Sequence, residues 1–350
     1  MFWLFSFALL LGFVQALVPQ VPMCDQDGCP SVSRIGLGTL HLGDKISGLT
    51  DPVKINEWLQ NGLDQGITLI DTADVYPVKG GTAGDSAKLL GDALALTPGL
   101  REKFTIVAKM DIIFPNKIDT SREHLTETLE WFLTSLQSSY VDVVLLHYPN
   151  SFMNAAEVAA VFNDFKTHGK VKHFGTSNHY PAHRDTLQKH LSPYNISLVT
   201  NEIEVSAWNP SYLNYDSSLV DDSVNKGYRV LSWSALGGDP IGGLNRLFVR
   251  KGTRQLKINH ALKKVGDDLG EDESSVVALA WVLAHPSGII PLIGTSKNER
   301  VNELAGRALD LSAKFTTDAW WEIGGAGGLC ALADSQCNYK EYMAKDVPDF

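Results

Sequence analysis

Residues 141–147 read VDVVLLH, apolar apart from Asp142 and ending on a histidine. A strand with one wet face alternates apolar and polar residues. This run does not, so it reads as a strand buried on both faces, as in a parallel sheet covered by helices. Working outward, seven similar runs recur: SRIGLGT (33–39), ITLIDTA (67–73), FTIVAKM (104–110), KHFGTSN (172–178), LVTNEIEV (198–205), YRVLSWS (228–234) and GIIPLIG (288–294).

Amphipathic helices lie between them. Asp51 and Pro52 form an N-cap and first-turn pair, followed by Ile55, Trp58, Leu59 and Leu63 on one face and closed by Gly66. Thr120 with Glu123 reads as a capping box ahead of Leu125, Leu129, Phe132, Leu133 and Leu136. Asn154 opens a helix that turns Val158, Val161, Phe162 and Phe165 inward and ends at Gly169; SSVVALAWVLAHP stops at Pro286. Eight strand–helix alternations without a composition break predict an α/β protein with a single (β/α)8 TIM barrel. A doubly wound fold would want GxGxxG after an early strand, and Gly36-Leu37-Gly38 is not continued that way. The connection over residues 237–272 is long enough to suggest function.

The chain's net charge of −10 and pI of about 5.4, without a Lys/Arg-rich run, make nucleic acid and anionic membranes poor partners. MFWLFSFALLLGFVQA is uncharged and apolar and ends in Val14-Gln15-Ala16, small residues where signal peptidase cuts. Residues 1–16 are therefore expected to be a signal peptide cleaved after Ala16, leaving no stable membrane association. Cys24, Cys29, Cys330 and Cys337 flank the two ends of the chain. In an oxidising lumen they suggest two disulfides, with three pairings open. Neither pair has zinc-finger spacing and no histidine sits close by, so no metal site is expected. The sequon Asn195-Ile196-Ser197 suits the same compartment. The secretory pathway (ER lumen or secretion) is the expected address. A plastid route through a bipartite signal is the alternative, and Leu17–Ser33 lacks the basic stretch it needs.

Barrel chemistry gathers at strand C-termini. Those ends carry Asp71 and Tyr76, Lys109, His147, Ser177-Asn178, Glu202 and Trp233-Ser234. Singly, each is an ordinary solvated or structural residue. Together, ionisable groups finishing three consecutive apolar strands are hard to attribute to folding, because a lysine behind FTIVA is costly unless a carboxylate such as Asp71 meets it.

From about Ser33 to Leu311 the chain resembles the aldo-keto reductase family of nicotinamide-dependent carbonyl reductases. IDTADVY is similar to its Asp-Thr-Ala-x-x-Tyr segment, IVAKM to its lysine strand, VDVVLLHYP to its histidine strand and GTSN to its Ser-Asn turn. TNEIEVS, SWSALGG and PLIGTSKNERV resemble the bacterial YdhF-type branch. The resemblance implies NADPH-dependent reduction of an aldehyde or ketone, reversible, with Tyr76 as general acid. Lys109 would lower the phenol's pKa, Asp71 would hold Lys109, and a neutral His147 would orient the substrate oxygen. It further implies Ser177, Asn178 and Glu202 at the nicotinamide carboxamide and Trp233 stacked on the ring. Ser234, Leu236 and Gly237 would approach the pyrophosphate and Thr39 the ribose. Gly294, Thr295, Ser296, Lys297 and Arg300 would meet the adenosine end, where Lys297 and Arg300 suit a 2′-phosphate and favour NADPH over NADH.

The chain departs from the family at Glu202, where glutamine is usual, at Pro77, where glycine is usual, and at His179, in place of an aromatic residue. The expected organisation is signal peptide 1–16, a Cys-containing segment 17–32, the reductase barrel 33–325 and a Cys-containing tail 326–350, acting as a monomer on a small carbonyl substrate. One rival is a glycosidase barrel using Asp71, Asp74, Glu202 and Glu204, but Lys109 has no role in it. The more serious one is a non-catalytic NADPH-binding barrel with a redox-sensing or regulatory task.

Overall fold

The computed structural model describes residues 17–44, 47–77, 81–113, 117–214, 218–238, 246–248 and 252–329, and within it all eight apolar runs become strands. In chain order the strands are β1 (Gln20–Pro22), β2 (Ser31–Ser33), β3 (Gly36–Gly38), β4 (Leu69–Ala73), β5 (Thr105–Met110), β6 (Ile112–Ile113), β7 (Lys117–Ile118), β8 (Val141–Leu146), β9 (Val171–Ser177), β10 (Leu198–Glu204), β11 (Arg229–Trp233) and β12 (Ile290–Ile293). Eight of them close into a parallel barrel in the order β3, β4, β5, β8, β9, β10, β11, β12. The seam runs through Leu292–Gly36 and Ile293–Leu37. Gly36 permits that seam, since a Cβ there would lie 2.6 Å from Leu292 Cδ2. β1–β2 and β6–β7 are small antiparallel hairpins outside the barrel.

The helices alternate with the strands as the patterning requires. Helix α1 (Pro52–Asp64) is capped by Asp51, whose carboxylate accepts the Val53 amide at 2.9 Å; it buries Ile55, Trp58 and Leu59. α2 spans Asp85–Ala95 and α3 Arg122–Ser135. The α3 cap is Ser121 rather than Thr120. Thr120 is buried and receives Asn150 Nδ2 at 3.2 Å, so its hydroxyl serves a long-range contact while its neighbour accepts the His124 amide. α4 (Ala155–Thr167) starts at Asn154 as expected, and its Phe162 stacks on Phe174 of β9 with centroids 4.4 Å apart. α5 (Pro181–Leu191), α6 (Leu219–Lys226), α7 (Thr253–Leu269), α8 (Ser274–Leu283), α9 (Asn298–Ser312) and α10 (Thr317–Ala326) complete the outer layer. α8 is buried from Ser275 to Leu283, which is why its sequence shows no polar face.

Residues 17–33 pack into the same core as the barrel. Val18, Met23 and Val32 are buried with it. Met23 donates its amide to Pro30 O and accepts from Arg229 N, both at 2.8 Å, and the Asp25 amide reaches Gly227 O at 2.7 Å. Cys24 and Cys29 form a disulfide with Cα atoms 5.7 Å apart, which excludes the two pairings that would join either of them to a C-terminal cysteine. Cys330 and Cys337 lie outside the described residues, as do residues 1–16, where a signal peptide was expected. Asn195 of the sequon is exposed on a surface turn. No helix among the described residues is long and apolar enough to cross a membrane.

Candidate active site

Four side chains from three neighbouring strand ends meet at the C-terminal mouth of the barrel. β4 carries Asp71, with Tyr76 in the loop beyond it; β5 carries Lys109; His147 follows β8. All four are buried. Lys109 Nζ pairs with Asp71 Oδ1 and stands 5.2 Å from the centroid of the Tyr76 ring. The Tyr76 and His147 rings meet edge to face with centroids 6.3 Å apart. The lysine thus has the carboxylate that its burial demands, and its phenol neighbour lies within reach.

Lys109 has a second anionic partner. Glu202 on β10, fully buried, places Oε1 2.8 Å from Lys109 Nζ, while its Oε2 has no partner. Sequence assigned Glu202 to the cofactor and missed this ion pair. Burial works against the ammonium, but Asp71 and Glu202 outweigh it and hold Lys109 protonated well above its ordinary value. Burial also pushes both carboxyls up, Glu202 to about 8, with the charge on Asp71 adding to it. Two carboxyls facing one cation in a dry site therefore keep one extra proton near neutrality.

The expectation that Lys109 lowers the Tyr76 pKa needs correction. Burial raises the phenol more than the ammonium lowers it, and Asp71 and Glu202 push the same way as burial. Tyr76 is accordingly a firmly protonated hydroxyl. His147 is driven well below its ordinary value, first by burial and then by Lys109, so it is neutral; its Nδ1 is buried without a partner.

Across the mouth, Ser177 ends β9 and Asn178 follows it. Ser177 Oγ donates to Glu202 O at 2.9 Å. Asn178 adopts φ +59°, donates Nδ2 to His147 O at 3.1 Å and accepts Trp233 Nε1 at 3.1 Å. One asparagine in the left-handed region therefore joins the histidine strand to the tryptophan strand. Ser234 and Gly237 also take positive φ; the Gly237 amide reaches Ser234 O at 2.7 Å, and Leu236 between them packs on the core. The following connection is tied down by Arg246, which pairs with Glu204 Oε1 and donates to Gly238 O at 3.0 Å; Asn209 Nδ2 holds Glu204 Oε2 at 2.9 Å. Thr39 is buried, with its hydroxyl given to Asp71 O at 2.8 Å. On the far side, Gly294 is exposed with open space where a side chain would stand. Thr295 accepts Trp58 Nε1 on its carbonyl at 3.1 Å, and Ser296 is half-buried. Lys297 is exposed at the N-cap of α9, and Arg300 is steadied by Ser275 Oγ at 2.8 Å.

Residues 34–321 match the model of the aldo/keto reductase family. The chain belongs to the aldo-keto reductase family. It is 33% identical over 301 residues to oxidoreductase YdhF of Escherichia coli, covering 84% of this chain and 93% of that protein. It is 31% identical to a 6-dehydroglucose reductase of Agrobacterium fabrum, covering 83% and 93%. A crystal structure of the thermostable aldo-keto reductase Tm1743 superposes with a TM-score of 0.68 at 20% identity, over 88% of this chain and 99% of that one. As a member of the family, the protein is an NAD(P)H-dependent oxidoreductase acting on carbonyl compounds.

The residues present fit a pyridine dinucleotide. Glu202 Oε2 is a buried oxygen without a hydrogen-bond partner, Gly294 leaves its backbone open to close approach, and Lys297 stands at the positive end of α9. Sequence reading also overlooked Asp111, a buried carboxylate that accepts the His147 amide at 2.9 Å. Its signal was an acid directly after the lysine strand, where burial continues.

Proposed function

We propose that this aldo-keto reductase uses NADPH to reduce an aldehyde or ketone to the alcohol, reversibly, with Tyr76 as proton donor. The observation that carries the reading is the convergence of Tyr76, Lys109, Asp71 and His147 in one buried cluster. NADPH, when bound, supplies the hydride. Tyr76 gives its proton to the carbonyl oxygen as negative charge develops there. The nearby Lys109 cation favours the phenolate left behind, and Asp71 keeps that cation in place. Neutral His147 aligns the oxygen beside the phenol. Because burial holds the resting phenol protonated, the drive for transfer comes from charge arising on substrate rather than from a depressed resting pKa.

Ser177, Asn178 and Glu202 are assigned to the carboxamide and Trp233 to the nicotinamide face. Ser234, Leu236 and Gly237 are assigned to the pyrophosphate, Thr39 to the ribose, and Gly294, Thr295, Ser296, Lys297 and Arg300 to the adenosine phosphate. Exposed Lys297 beside Arg300 at a helix N-terminus supports NADPH over NADH. The protein acts as a monomer. Residues 1–16 direct it to the secretory pathway, with barrel 33–325 and tail 326–350 following segment 17–32; a tag on the intact leader, imaged in its source cell, separates this from a plastid route.

The test is NADPH oxidation by the purified chain with 4-nitrobenzaldehyde. Turnover that Tyr76→Phe lowers by about 10²-fold or more supports the reading. NADPH binding without such turnover would identify the non-catalytic regulatory alternative.

A further inference from the structure

The sequon Asn195-Ile196-Ser197 has no task in the chemistry above. Asn195 lies in the turn between α5 and β10, at φ +53°. That turn is fixed through its backbone. The Asn195 amide donates to Ser192 O at 3.0 Å, Lys166 Nζ donates to Asn195 O at 2.7 Å, and Gln188 Nε2 donates to Ile196 O at 2.8 Å. Ile196 is buried and anchors the segment, while Asn195 is exposed and its carboxamide engages no described residue. A left-handed turn accounts for an asparagine or a glycine at 195. It does not account for a hydroxyl at 197, and Ser197 Oγ has no partner among the described residues either. The chain's other Asn-x-Ser, Asn209-Pro210-Ser211, is the opposite case. Asn209 is buried, gives Nδ2 to Glu204 Oε2 at 2.9 Å and accepts Ser211 Oγ at 2.6 Å, and its proline bars recognition.

We propose that Asn195 carries an N-linked oligosaccharide on the barrel face opposite the active site. The proposal rests on the secretory address proposed above and is independent of the reaction. Asn195 precedes the N-terminal end of β10, whereas Glu202 and Glu204 stand toward the C-terminal end of the same strand. A bulky, solvated sugar at Asn195 therefore leaves the mouth of the barrel clear. The donor is a lipid-diphosphate-linked oligosaccharide. Asn195 Nδ2 bonds to the anomeric carbon of the sugar as that carbon's bond to the diphosphate oxygen breaks. The lipid diphosphate leaves with the electron pair, Nδ2 releases one proton, and nothing is oxidised or reduced. The Ser197 hydroxyl is the recognition group two residues on. Folding afterwards asks no hydrogen bond of the Asn195 carboxamide, so the modified chain loses none of the turn's contacts. The Cys24–Cys29 disulfide suits the same oxidising compartment.

The test is translation of the full chain in the presence of endoplasmic-reticulum microsomes, reading gel mobility before and after peptide-N-glycosidase and protection from added protease. The unaltered chain should be protected and should run as a single glycoform that the glycosidase shifts to the mobility of the bare polypeptide. Asn195→Gly keeps the left-handed turn and should lose the shift. Ser197→Ala leaves Asn195 in place and should lose it too, whereas Asn209→Gln should retain it. A protected chain that shows no shift overturns the proposal, as does a shift that survives Ser197→Ala. An unprotected, unshifted chain also overturns it and traces the failure to the leader rather than to the turn. The placement has its own readout: glycosidase treatment of the folded protein should leave kcat/KM for 4-nitrobenzaldehyde unchanged. A rise on treatment would put the sugar over the mouth and overturn its assignment to the opposite face.

Discussion

Lys109 Nζ lies 2.8 Å from Glu202 Oε1 while also holding Asp71, so one ammonium answers two buried carboxyls drawn from strands on opposite sides of it in sequence. Glu202 is raised to about 8, above its unfolded value, so its contribution to stability is lost as pH rises through 8. Glu202→Gln should therefore be more stable than the unaltered protein at pH 9 and gain little at pH 6, read as Tm at both values. An equal shift at both pH values would sink the idea.

Removing the cation tests the same cluster from the other side. Lys109→Met leaves two carboxyls without a counter-charge and should cost roughly 3 kcal/mol near neutrality. Acid supplies the missing neutralisation by protonating them, so the deficit in unfolding free energy should shrink between pH 8 and 5. A deficit that grows in acid would contradict this account.

The Glu204–Arg246 pair anchors the connection after β11 from inside the barrel mouth. Arg246→Met alone strands a buried carboxylate and should destabilise by about 3 kcal/mol, whereas Arg246→Met with Glu204→Gln recovers most of that loss. Urea unfolding of the single and double variants reads this directly. Additive losses in the double variant would show that the two groups do not depend on each other.

Lys297→Ala should weaken NADPH binding by about tenfold and leave NADH binding unaltered, because only the former carries a 2′-phosphate. Titration calorimetry with both nucleotides distinguishes this from a general loss of affinity, which would mean that Lys297 merely supports the helix end.

The Cys24–Cys29 loop is short, with a sequence separation of 5. Chain entropy assigns such a loop about 2 kcal/mol. Cys24→Ser with Cys29→Ser should lower unfolding free energy by about that amount, and no loss would mean that the hairpin is held by Met23 burial alone.

The barrel was legible because strands buried on both faces leave long apolar runs, and VDVVLLH and FTIVAKM keep that signature. The tetrad was legible for a related reason: a lysine or histidine closing such a run contradicts burial unless it has a partner. Less visible were the pairings across the barrel. Nothing local to TNEIE says that Glu202 meets Lys109 while Glu204 meets Arg246; two residues on one strand face find different partners 93 and 42 positions away. The cap of α3 was displaced by one residue because Thr120 and Ser121 both carry hydroxyls, and only the fold shows which one Asn150 occupies. The sign of the Tyr76 shift was misjudged because sequence displays neighbouring charge but not the depth of burial.

The hairpin that carries Met23 has its partners at Gly227 and Arg229, some two hundred residues downstream. A nascent polypeptide therefore makes this floor piece first and can seat it only after the β11 segment has been synthesised. Until then the apolar Met23 stays uncovered, a window in which a chaperone or another unfinished molecule can reach it.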